Sequence, residues 1–375
     1  LGSPGCAAIP RVQTVNAVGG NAAGENGAGL QVAWRRLLTE PKFLEYKPQE
    51  FASAATDGKR VFIGSHGGFF LALRPSDGAI LWKIPMTAGF SGRPLYLEGN
   101  HTLYVGGDDG VLRALDPETG KERWTYKTKG PIGGTPVYDD GVIYFTNAEN
   151  RVYAVDAQSG AWRWQYERET PETFTIRGIP APLIHGGRVY AGFADGYLAT
   201  LNARTGDVIW ARSLAADAQR FMDVDATPVV VDKVLYVANY ASGVYALDPA
   251  DGSVKWRYEV EGAGTVRVER GRVYFAAAKN GLYCLDLEGR LVWRQALAAQ
   301  GEVSPPVLLA GLLLLVSASL AGMYVVEPQG GQLLQFFQPG HGVTAEPMTD
   351  GRQVYLLTNN GFFYAFRLGS PQTGG

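Results

Sequence analysis

One phrase returns along this chain every 40 residues or so, as from Trp124 to Trp164, and that period limits the possible folds more than any other feature. LRALDPETGKERW, ending at Trp124, comes back as VYAVDAQSGAWRW at Trp164, LATLNARTGDVIW at Trp210 and VYALDPADGSVKW at Trp256. LALRPSDGAILW at Trp82 and LYCLDLEGRLVW at Trp293 are looser copies, and VVEPQGGQLLQ carries Gln335 where the others have Trp. The position of Asp116 recurs as Arg74, Asp156, Asn202, Asp248, Asp286, Glu327 and Arg367, which makes eight copies.

Each copy reads as four short strands: an extended run, a turn such as DDG or GGR, a second run such as VIYF, a further turn, then VYAVD and the Trp run. Asp or Asn after the third run can fold its side chain onto the next backbone amides, and the following Gly supplies the positive φ of the hairpin. The Trp opens the outer run, where its ring can pack on the neighbouring copy. The eighth copy, VYLLTNNGFFYAFRL, stops after its third run, whereas LQVAWRRLL at 30–38 has the form of an outer run with Trp34 in the docking place. The expected architecture is all-β: an eight-bladed β-propeller of four-stranded antiparallel blades over residues 30–368, closed by the N-terminal strand around Trp34. Residues 1–29, rich in Gly, Ala and Asn, are expected to form a flexible tether, and 369–375 a disordered tail.

Composition agrees, with 49 Gly, 19 Tyr, 16 Phe and 8 Trp in 375 residues, as many short strands and tight turns require. A net charge of −2 gives no electrostatic case for nucleic acid or an anionic membrane surface. From Val303 to Val326 there is no charged residue, and by length that stretch could be a membrane helix. Its alignment with PVYDDGVIYFTNAENRVYAVD reads it instead as three strands of blade seven. The two cysteines form no CxxC pair. Cys284 stands where other copies have Ala, the mark of a buried free thiol, while Cys6, after LGSPG, resembles a bacterial lipoprotein cleavage site in which Ser3 replaces the usual Leu.

Catalytic signatures are absent: there is no GxSxG, Walker loop or HExxH, and His66, His101, His185 and His341 are scattered among apparent surface turns. The irregularity lies between blades. Twelve residues separate Trp82 from Pro94 and Trp124 from Pro136, but 18 separate Trp164 from Pro182 and Trp210 from Pro228. Another long connection runs from Trp34 to about Ser53. All such connectors should emerge on one face, and the two of 18 residues should lie side by side. One contains Phe174, Ile176 and Arg177, an apolar pair beside a cation, and the other contains Asp223 and Asp225. The aspartates could cap turns, hold a metal, act as an acid/base pair or face a partner. No further oxygen ligands or Gly follow them as a calcium loop needs, and no nucleophile accompanies them. An apolar and cationic cluster on a rigid rim fits a partner surface.

These residues carry a family resemblance. The repeat phrase is similar to that of pyrroloquinoline-quinone-like propellers, and from about Leu30 to Leu368 the chain resembles the BamB family, propeller lipoproteins of the outer-membrane β-barrel assembly (BAM) machinery. In that family an apolar, apolar, Arg cluster and a DVD loop contact the periplasmic (POTRA) domains of the barrel-inserting subunit. Phe174 and Ile176 stand where it usually has Leu, while Arg177, Asp223 and Asp225 match. The resemblance implies a non-catalytic scaffold without cofactor or metal, on the periplasmic face of the Gram-negative outer membrane and lipid-anchored at Cys6. It would bind the barrel-inserting subunit and help present unfolded outer-membrane proteins. The rival classes are a quinone-dependent dehydrogenase with calcium in its central channel, and a propeller binding another envelope protein or a polysaccharide.

Overall fold

The computed structural model describes residues 13–14, 29–39, 49–171, 178–216, 218, 220–278, 281–297 and 301–369. Cys6, Phe174, Ile176, Arg177 and the tail beyond residue 369 lie outside the described residues. Eight antiparallel sheets follow one another along the chain. Blade three shows the plan, with Val137–Asp139 innermost, then Val142–Asn147, Arg151–Asp156 and Trp162–Glu167 outermost. The second and third strands are buried along nearly their whole length, whereas outer strands such as Glu122–Lys127 alternate between exposed and half-buried positions. Each outer strand therefore meets solvent on one face and the next blade on the other.

The repeat phrase is the device that joins blades. The Asp116 carboxylate accepts the amides of Glu118 and Thr119, and Asp156 does the same for Gln158 and Ser159. The Gly that follows sits at positive φ, as at Gly160 (φ 72°), and lies under the indole of the preceding blade's Trp124. That indole donates its N–H to the Ala157 carbonyl of the same turn at 3.2 Å, and the buried Tyr104 hydroxyl donates to the same oxygen at 2.8 Å. Equivalent Trp to carbonyl bonds join Trp34 to Pro75, Trp82 to Pro117, Trp164 to Ala203, Trp210 to Pro249, Trp256 to Leu287 and Trp293 to Pro328. Beside each docking position the ladder between third and outer strands slips by one residue, a bulge that turns the side chain toward its neighbour.

Ring closure follows the expected plan. Leu30–Leu37 pairs with Phe362–Leu368 as the outer strand of the blade built from Met348–Thr349, Gln353–Leu357 and Phe362–Leu368. The uncharged stretch of blade seven forms the strands Val307–Leu309, Leu313–Ser317 and Met323–Val326, and no helix among the described residues is long and apolar enough to cross a membrane. Cys284 is buried as a free thiol, and burial pushes its pKa up to about 12. One feature of the tether departs from expectation: Gln13–Thr14 pairs with the outer strand of blade seven, Leu333–Phe337, as a fifth strand. The signal for it was the β-branched run VQTV inside an otherwise Gly-, Ala- and Asn-rich segment.

Candidate functional site

The connectors converge on a funnel of about 890 Å³ whose wall draws residues from seven of the eight blades. All three long connectors reach it, through Phe51, through Gly178 to Pro180 and through Asp223 to Asp225. Turns between second and third strands complete the wall with His66, Asp108, Asn147 and Phe193. The two connectors of 18 residues touch. An added Cβ at Gly178 would lie 2.6 Å from the Asp225 Cβ, and the Ala181 N–H donates to the Thr227 hydroxyl at 3.1 Å. Gly178 is thus the residue whose missing side chain lets the second loop close against the first.

The aspartates occupy different environments. Asp223 is 2% exposed, and its loop is held by main-chain bonds: its carbonyl accepts the Tyr240 N–H at 3.3 Å and the Asn239 side-chain amide at 3.2 Å, while the Val224 N–H donates to Phe193. Asp225 is half-buried on the funnel wall. Burial, with the neighbouring Asp223 carboxylate adding to it, pushes its pKa up to about 7, and Glu302 across the funnel acts in the same direction. A reading in which both aspartates line the surface therefore fits Asp225 alone, and there burial disfavours the charged form.

Several charges at or beside the wall are paired or hydrogen-bonded. The Asp108 carboxylate accepts the Ser91 hydroxyl at 2.9 Å and faces His66 Nδ1 at 3.6 Å. Arg93 meets Glu346 at 3.1 Å, and the buried Glu50 accepts the Ser65 hydroxyl and the His66 amide. Among the described residues no three His, Cys, Asp or Glu side chains are grouped as a metal ion requires. His101 is exposed in a turn and His185 is exposed at the end of the strand Leu183–His185, both at the surface as expected of them.

Sequence reasoning missed Phe221. It precedes the DVD loop at φ 54°, a conformation that bulky side chains rarely adopt, and its ring is 41% exposed with its centroid 6.1 Å from that of Tyr240. A strained, exposed aromatic on a candidate loop is a contact candidate in its own right.

The model of the family described as outer membrane protein assembly factor BamB matches residues 26–101, 96–246 and 241–361. The protein of that name from Yersinia pestis is 25% identical over 346 residues, 90% of this chain and 77% of that one. Its namesake from Legionella pneumophila is 32% identical over a stretch that covers 50% of each chain. The crystal structure of BamB from Moraxella catarrhalis superposes with a TM-score of 0.78 at 21% identity, covering 90% of this chain and all of that one. The fold extends to enzymes: the quinohemoprotein alcohol dehydrogenase of Comamonas testosteroni superposes at 0.71 with 16% identity, covering 92% of this chain and 78% of that one. With the family model matched from blade closure to the last hairpin, the chain belongs to the BamB family of outer membrane protein assembly factors.

Proposed function

We propose that this chain is a non-catalytic scaffold of the outer-membrane protein assembly machinery, which docks the periplasmic domains of the barrel-inserting subunit on the funnel face between blades three and five. The observation that supports the reading is the contact of the two long connectors at Gly178 and Asp225. Gly178 follows Arg177 in sequence, so Phe174, Ile176 and Arg177 belong to a connector that abuts the Asp225 loop. In this reading the apolar pair and Arg177 are the anchors, Asp225 is the contacting carboxylate, and the buried Asp223 shapes its loop. The chain sits at the periplasmic face of the outer membrane, anchored through a lipid on Cys6, and assists the folding and insertion of outer-membrane proteins.

The test is capture by the isolated periplasmic domains of the barrel-inserting subunit. The triple variant F174A/I176A/R177A is expected to bind at least thirtyfold more weakly, the equivalent of about 2 kcal/mol for the loss of anchor residues. Unchanged capture by a folded variant refutes the site. A dehydrogenase reading draws on one observation, a stretch of 137 residues 33% identical to the quinoprotein alcohol dehydrogenase PedH of Pseudomonas putida, which spans 22% of that enzyme. Dye reduction on addition of pyrroloquinoline quinone, calcium and an alcohol would favour it over the scaffold.

A further inference from the structure

We propose that the outer edge of blade seven is an exchangeable strand-addition site, which the chain's own Gln13–Thr14 strand guards and which fits an extended, uncharged segment rich in β-branched residues. Two independent observations carry this. The first is the pairing itself, Gln13 opposite Phe336 and Thr14 opposite Gln335, which makes this the one five-stranded sheet among the described residues.

The second is the chemistry of the edge. An outer strand exposes a row of unpaired N–H and C=O groups, and folded proteins blunt such edges with charge or proline. Seven of the eight outer strands do so: Lys83 and Pro85 in blade one, then Arg123, Arg163, Arg212, Lys255 and Arg294 in blades two to six, with Arg35 and Arg36 in blade eight. Blade seven presents LLQFF, without a charge or a proline. Leu333, Leu334 and Phe336 are only half-buried even so. The edge lacks the device that keeps other strands off, and the chain supplies a strand instead.

The cover is short. Among the described residues, Gln335 and Phe336 are the two positions of the five-residue edge that are paired. Two residues of ladder give little affinity beyond the local concentration that tethering provides. A longer segment of the same character can therefore displace them, and the sequence VQTV, whose Gln13 and Thr14 make the pairing, shows that character: uncharged and rich in β-branched residues.

The experiment uses the full chain and a Q13P/T14P variant, since proline cannot donate to a ladder and these positions lie outside the ring. Unchanged circular dichroism and thermal midpoint confirm that the propeller is intact. The edge-facing backbone amide at Gln335 or Phe336 is expected to exchange at least tenfold faster in the variant, while the amides bonded to Met323–Val326 stay protected. A labelled peptide of the sequence at 12–18, VQTVNAV, should bind the variant at least tenfold more tightly than the parent, and a scrambled peptide should bind neither. Equal exchange in both proteins overturns the pairing. Faster exchange without peptide binding overturns the exchangeable site and leaves a fixed fifth strand.

Discussion

The side-chain amide of Gln335 clasps the main chain of Leu30, accepting its N–H at 2.8 Å and donating to its carbonyl at 3.0 Å, across 305 residues of sequence. Gln335 holds the position that Trp holds in the other blades. The exchange has a reason: blade eight ends after its third strand and has no Asp-Pro-x-x-Gly turn to offer an indole, whereas the entering strand presents bare backbone. Q335A leaves two buried backbone groups without a partner and is expected to cost about 2–4 kcal/mol. Q335W, although it restores the repeat consensus, should also destabilise, because no turn carbonyl awaits it. Urea midpoints at unchanged m-value measure both.

Glycines of two different turns, Gly252 in the repeat phrase and Gly141 between the first two strands of blade three, separate backbone strain from steric conflict. Gly252 has φ 72°, and an added Cβ would meet the Trp210 ring at 2.8 Å, whereas Gly141 has φ 79° with nothing within 4 Å. G141A should cost about 1–2 kcal/mol for the left-handed backbone alone. G252A should cost clearly more, because the indole must also move. Equal losses in the two variants would remove the proposed clamp between Trp and turn.

Asp225 gives a pH dependence of definite sign. Its pKa is about 7 in the fold and near 3.9 in the unfolded chain. Between those values the unfolded chain releases this proton while the folded one retains it, so this group's contribution to stability falls as pH rises from about 4 to 7. D225N cannot ionise. Its unfolding midpoint should therefore exceed that of the parent at pH 8, and the two should converge toward pH 4. A difference that stays constant over that range would show that Asp225 does not titrate as its burial beside Asp223 requires.

Phe221 allows contact and strain to be read separately. F221A removes an exposed ring but keeps the left-handed backbone, while F221G relieves the backbone as well. Both are expected to weaken capture of the periplasmic domains to a similar extent, with F221G more stable than F221A by about 1 kcal/mol. Parent-level capture by both would exclude the ring from the interface.

Cys284 should be inert in the native protein. Its burial and raised pKa leave almost no accessible thiolate at pH 8, so in a C6S background maleimide labelling should appear only with denaturant. C284A should cost little, because Ala154 and Ala246 hold the same place in other blades.

The propeller was legible in the chain because each blade carries its own instructions within a dozen residues: an Asp for the turn amides, a Gly for the left-handed corner, a Trp for the next blade. These contacts are local or repeat at a fixed period, so most copies restate them, although Gln335 stands for Trp in blade seven and blade eight lacks the turn. The closing strand was legible for the same reason, as the missing member of a set. The long connectors were legible as departures from that period, and their contact at Gly178 and Asp225 follows from joining consecutive blades.

The singular features were not legible. A DVD triplet states its alternation but not its depth, and only the packing of Phe193 and Asn239 around it decides that Asp223 is buried while Asp225 lines the funnel. The left-handed turn at Phe221 has no glycine to announce it. By itself the sequence determined the blade, its copy number and the order of the ring, since periodic local chemistry needs no distant partner. Tertiary structure alone decided the clasp of Gln335 on Leu30, the cover strand on blade seven and the two fates of the aspartates, because each depends on groups brought together only when the ring closes.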